Sequence, residues 1–178
     1  AFGEVPVLII DDTTMLWDSG AIMRYLAAGT ALMPEDPVRR ALADGCLDSS
    51  KRFVMTVDAV VNMRSGDRFT RERADTLAAL PSMLAPFLRQ LTTHGGPFLT
   101  GARASYADLT FFHHLDLALL LDPQLCARHG VLSTFHDAVL ALDGIAGYLA
   151  RRPALTGIGT DPRVELDGVP TSTWEGRV

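Results

Sequence analysis

One stretch, Leu109 to Leu121, restricts the fold of this chain more than any other. Apart from Asp116 it carries no formal charge, and it is apolar nearly all round. A helix of that kind has no face to give to water, so it must lie at the centre of an assembly. The box Ser105-Tyr106-Ala107-Asp108 stands directly ahead of it and sets its start, serine capping from one side and aspartate returning from the other. The run is not a membrane span, because its most apolar part, Leu115 to Leu121, is broken by Asp116 and Asp122.

The neighbours of such a helix are legible on both sides. From Val38 onward, Leu42, Cys46, Leu47, Phe53, Val54, Val57, Val60 and Val61 recur at helical spacing, and Gly66 ends the segment near Arg64-Ser65. A second helix is expected from about Thr70 to Thr93, kinked or divided by Pro81 and Pro86 and stopped by His94-Gly95-Gly96-Pro97. Two shorter helices are expected over about Ser133 to Leu142 and Ile145 to Arg152, with Pro153 after them. From Ala154 the chain is rich in Gly, Pro and Thr and reads as a tail that wraps the surface or is loose.

The front differs in kind. Val5 to Ile10 is a β-branched run, Asp11-Asp12-Thr13-Thr14 a polar turn, and Met15-Leu16-Trp17 a second short strand, together a hairpin. Asp18-Ser19-Gly20 opens a helix with Ser19 as a natural N-cap and Ala21, Ile22, Tyr25 and Leu26 on its apolar face. Gly29 and the segment Pro34 to Pro37 form a linker.

Composition excludes several classes. The 178 residues fit one domain, or one domain and a piece of another. A net charge of -5 without a basic patch argues against nucleic acid as a partner. Cys46 and Cys126 form neither a CxxC pair nor a metal spacing, and read as buried thiols in the cytoplasm or another reducing compartment. His113 and His114 are adjacent, so on a helix they diverge and do not share a metal, and Asp44, Asp48 and Asp58 read as groove or surface charges. The chain opens on Ala1 with no leader pattern, which reads as a cut inside a longer chain. Lys51 is the only lysine, and this arginine bias is assigned no function.

Two short elements carry the functional reading. Val5-Pro6 opens the first strand, and Asp18-Ser19 opens the first helix. Alone, Pro6 could merely begin a strand, and Asp18-Ser19 could be a plain cap. In order and at this spacing, Gly3-Glu4-Val5-Pro6-Val7-Leu8, Asp18-Ser19-Gly20-Ala21-Ile22 and Arg24-Tyr25-Leu26 resemble the glutathione-binding segment of cytosolic glutathione transferases. Further along, Asp44-Gly45-Cys46-Leu47-Asp48, the run Gly-Pro-Phe-Leu-Thr-Gly at 96–101, Ser105-Tyr106-Ala107-Asp108-Leu109, and Tyr148-Leu149 ahead of Arg152-Pro153 extend the resemblance to about residues 2–153, closest to the sigma class and its crystallin relatives.

The resemblance implies a mostly α fold. Residues 1–30 would be the C-terminal part of a thioredoxin-like glutathione-binding domain, with two strands and a helix. Residues 37–153 would be an all-helical C-terminal domain, and 154–178 an irregular tail. It implies a cis Val5-Pro6 bond that presents the backbone of Val5 to the cysteinyl part of glutathione. Ser19 and the helix N-terminus would hold the γ-glutamyl carboxylate, and Asp18 the γ-glutamyl amine. Glu4 stands where many members have glutamine, and would bring a negative charge near an anionic ligand. Lys51 and Arg52 stand where sigma enzymes have acids, and would repel the ligand amine. The family's first strand, first helix and second strand lie before Ala1 on this reading, and with them the Tyr, Ser or Cys that activates the thiol. No catalytic residue is then expected in this chain, since Tyr25 reads as a core residue of the first helix, Tyr106 as part of the capping box, and Tyr148 as packing a late helix. The strand at Val5 would keep an edge to be filled by upstream residues or a partner chain.

Two functions follow. One is a glutathione transferase or isomerase that uses glutathione as co-substrate and takes an apolar electrophile against the first long helix, as a homodimer. The other is a non-catalytic subunit of this fold serving assembly in a larger complex.

Overall fold

The computed structural model describes Gly3 and residues 5–152, 158–160, 164–166 and 169–171. The apolar run and its capping box form helix α4, Tyr106–Leu121, and nearly every face of it is covered: Tyr106, Phe111, Leu115, Ala118 and Leu121 have no exposed surface. Its main neighbour is α2, Pro37–Met63, which contributes Leu47, Phe53, Val57 and Val61 to the same core. α2 begins at Pro37, one residue before the expected Val38, so the last residue of the expected linker is helical. Asp36 caps it by accepting from the Arg39 N–H at 2.8 Å, and Pro37 occupies the first turn, where its missing N–H costs nothing.

α3, Gly66–Thr93, closes the second side. It starts a turn earlier than Thr70 and runs unbroken through Pro81 and Pro86. Both prolines are exposed, so their rings sit on the solvent side of the helix rather than in the core. Phe87 of α3 stacks on Phe111 of α4 with ring centroids 4.2 Å apart, and Phe53 of α2 meets the same pair edge-on and tilted at 5.9 and 6.0 Å. Arg73 of α3 donates to the Leu121 carbonyl at 2.6 Å, placing a cation at the C-terminus of α4. The turn α5, Leu125–Arg128, precedes α6, Gly130–Leu140, whose Phe135 ring lies 5.3 Å from Phe111, and α7, Ile145–Leu149. Tyr148, expected to pack α7, is 58% exposed.

The loop before α4 is held by one carboxylate. Asp108 is fully buried and accepts from the Leu99 N–H, the Ser105 N–H and the Ser105 hydroxyl, each at 2.7 Å. It thereby fastens the 96–101 run to the start of α4. Within that run Phe98 and Gly101 exchange backbone hydrogen bonds of 3.1 Å, and a Cβ at Gly96 would lie 2.3 Å from the Gly101 carbonyl carbon, so only glycine fits.

At the front, β1, Val7–Ile9, pairs antiparallel with β2, Met15–Trp17, with Leu8 opposite Leu16. The turn is an Asx turn: Asp11 Oδ1 accepts from the N–H groups of Thr13 and Thr14 at 2.8 Å and from the Thr13 hydroxyl at 2.9 Å. Among the described residues β1 has no strand on its other edge. In the tail, Val164–Leu166 (β3) and Val169–Thr171 (β4) form an antiparallel hairpin in a stretch whose composition predicts only irregular chain. No helix among the described residues is long and apolar enough to cross a membrane.

Candidate functional site

The first helix, α1, spans Ser19–Ala27 and docks on the helical assembly along one face. Met23 and Ala27 pack against the core, and a Cβ at Gly20 would lie 3.0 Å from Leu47 and 2.9 Å from Lys51 Nζ, so glycine permits the close approach to α2. Tyr25 and Leu26 fall off that face and are 47% and 55% exposed, contrary to the expectation of a core tyrosine. Gly20, Met23, Arg24 and Ala27 face the helical assembly, and Ile22, expected on the apolar face, is buried as well. The Arg24 guanidinium pairs with Asp44, and with Asp48 at 3.1 Å, while the Tyr106 hydroxyl donates to Asp44 at 2.7 Å. This Arg24–Asp44–Tyr106 cluster ties α1, α2 and α4 together. Sequence reasoning named all three residues but could not join them, because they are separated by 20 and 62 positions.

The cap of α1 is Asp18, one residue ahead of the expected Ser19. Asp18 Oδ1 accepts from the Ala21 N–H at 2.9 Å, and Ser19 becomes the first helical residue. Asp18 adopts φ 65°, a strained conformation for a residue with a side chain, at the point where the hairpin turns into the helix. Its second oxygen, Oδ2, binds Lys51 Nζ of α2 at 2.8 Å. The Lys51 hydrogen bond, with the Ala21 N–H behind it, holds the Asp18 carboxyl below the usual carboxylate range. Arg52 points elsewhere: it donates to Ser49 at 2.9 Å and lines a groove with Phe53, Met83 and Pro86 between α2 and α3. Adjacent helical residues diverge, so the two basic residues expected together act on different faces.

A cleft of about 330 Å³ opens beside Ser19 and Lys51. Its other walls are Met23 of α1, Leu47 and Val54 of α2, and Leu109 and His113 of α4. Ser19 and Lys51 bring polar groups at a helix N-terminus, Thr110, His113 and His114 bring others from α4, and the rest of the lining is apolar. His114 also borders it but turns inward, its Nδ1 2.6 Å from Ser50 Oγ. Burial, reinforced by the neighbouring His113, depresses the His114 pKa to about 4 and keeps the ring neutral. Cys46 is no nucleophile, since burial pushes its thiol up to about 11. Among the described residues no group of His, Cys, Asp or Glu could hold a metal ion.

Of the residues expected to bind glutathione, Val5 is 92% exposed, ahead of β1, and its bond to Pro6 is cis. Asp18 and Ser19 stand at the start of α1, and Ser19 lines the cleft. Glu4 lies outside the described residues.

Comparison with known proteins places this architecture. Residues 59–152 match the family described as glutathione S-transferase, C-terminal domain. Glutathione S-transferase 2 of Onchocerca volvulus is 27% identical over 155 residues, which cover 86% of this chain and 73% of that protein. Hematopoietic prostaglandin D synthase of Gallus gallus is 29% identical over 154 residues, covering 85% and 74%. The structure of the Pi-class glutathione S-transferase of Onchocerca volvulus superposes with a TM-score of 0.77 at 26% identity, over 90% of this chain and 78% of that one. The two-stranded piece with its helix and the helical domain built around α4 are those of a glutathione transferase, and the chain belongs to the glutathione S-transferase family.

Proposed function

We propose that this chain binds glutathione at the Ser19 end of the cleft and serves its transfer to, or the glutathione-assisted isomerisation of, an apolar electrophile. The observation that carries this reading is the cleft itself: Ser19, at the first turn of α1, opens onto a wall of Met23, Leu47, Val54 and Leu109. A carboxylate gains from the α1 N-terminus and the Ser19 hydroxyl, and the apolar wall suits the second substrate. The exposed backbone at Val5 and Pro6 would face the cysteinyl part, as the family resemblance implies, with Asp18 shaping the γ-glutamyl end. Relatives named as glutathione S-transferases and as a prostaglandin D synthase support both transfer and isomerisation. The group that activates the thiol is not assigned to any residue here. A homodimer is the assembly that this reading entails.

The test is Ser19→Ala, read by titration calorimetry with glutathione. A hydrogen bond to a charged group is worth about 1.5–3 kcal/mol, so affinity should fall by about tenfold or more. An unchanged affinity would remove Ser19 from the site. A second reading, a non-catalytic subunit in a larger assembly, is favoured by one observation: Lys51 already occupies Asp18. Complete absence of binding heat in the unsubstituted protein at millimolar glutathione would select it.

A further inference from the structure

We infer that Lys51 sets the charge of the ligand, so that this site prefers a thiol peptide whose terminal carboxylate has no ammonium beside it. The inference rests on the glutathione reading of the cleft and concerns its γ-glutamyl end. Asp18 is the carboxylate next to Ser19, and both its oxygens are engaged, Oδ1 by the Ala21 N–H at 2.9 Å and Oδ2 by Lys51 Nζ at 2.8 Å. The nearest other cation, Arg24, is matched by Asp44 and Asp48. No unmatched acid therefore stands at this end of the cleft among the described residues to receive an ammonium.

Lys51 is also held close to the ligand's path. It lines the cleft beside Ser19, and its Nζ lies where a side chain at position 20 would begin, 2.9 Å from that ideal Cβ. An incoming ammonium must displace Lys51 from Asp18 or settle within a few ångströms of a like charge. An incoming carboxylate meets the opposite situation, a helix N-terminus, a hydroxyl and an ammonium. The Lys51 and Asp18 side chains are 31% and 50% exposed, so their pairing is solvated and Lys51 can turn from one anion to another. The two halves of an amino-acid end thus experience opposite effects, and a ligand with only the carboxylate keeps the gain without the repulsion.

Two probes separate these effects: glutathione, and glutaryl-cysteinyl-glycine, in which hydrogen replaces the amino group. Calorimetry on the full chain should show the second binding about tenfold more tightly, the scale of one charge-assisted hydrogen bond. Lys51→Met should reverse the order, by freeing Asp18 for the ammonium of glutathione and removing the cation from the carboxylate. Lys51→Arg should keep the original order, and Lys51→Gln replaces the methionine variant if that protein fails to fold. Tighter binding of glutathione in the unsubstituted protein, unmoved by Lys51→Met, overturns the inference and leaves the glutathione reading intact. No heat with either probe in any of the proteins overturns both.

Discussion

Asp108→Ala should lower stability by about 4 kcal/mol, the cost of leaving two or three buried donors without partners at about 1–3 kcal/mol each. Those donors are the Leu99 N–H, the Ser105 N–H and the Ser105 hydroxyl. None can turn to water, because Leu99, Ser105 and Asp108 are all without exposed surface. The change unfastens two things at once, the first turn of α4 and the loop through Leu99. In a chain of this size a loss of that order lowers the melting temperature by about 10 °C. Asp108→Asn keeps the shape and one acceptor oxygen and should cost roughly half as much. Thermal unfolding followed by circular dichroism checks both. An unchanged melting temperature together with lost glutathione binding would mean that Asp108 serves the ligand and not the fold.

The second large effect is acid lability through His114. Burial holds its pKa in the folded chain near 4, against 6.5 for a free histidine. The unfolded chain therefore takes up a proton between these values that the folded chain refuses. Stability from this residue is complete above pH 6.5 and is lost as pH falls towards 4, and the whole loss is about 3 kcal/mol. His113, whose pKa burial also lowers, acts in the same direction. Urea unfolding at pH 7 and at pH 4.5 should show His114→Asn losing less stability between the two than the unsubstituted protein, since asparagine can still pair with Ser50 and has no proton to gain. Equal losses would mean that the ring is already solvated or charged.

Elements whose limits are set by neighbouring residues were legible in the sequence. α2 ends ahead of Gly66 as expected, and it begins at Pro37, a residue read as linker although capping by Asp36 and proline geometry act within that one turn. α4 follows from its capping box and from an apolar pattern that leaves no solvent face. The misreadings arise where a choice between adjacent residues depends on the backbone. Asp18 and Ser19 are both good caps, and the tight turn out of β2, at φ 65°, selects the aspartate. Pro81 and Pro86 look able to divide the helix, but both lie on its exposed side and α3 is continuous through them. Tyr25 and Tyr148 look like core residues by composition, but the faces that pack are decided by partners far along the chain.

For the candidate site, the residues were nameable from the sequence but their pairings were not. Asp18, Ser19 and Lys51 were each identified, and the charge of Lys51 was expected to oppose a ligand amine. That Lys51 lies on Asp18 itself depends on α1 docking against α2 through Gly20, a contact across 33 positions. The same docking joins Arg24 to Asp44 and Tyr106 and forms the apolar wall of the cleft.

The central claim is that glutathione occupies this cleft, and the most direct measurement is a nuclear magnetic resonance titration of the backbone amides with glutathione. The account predicts saturable shifts concentrated at Val5, Ser19, Gly20 and Lys51. No shifts at millimolar ligand, or shifts confined to the groove between α2 and α3, would contradict it.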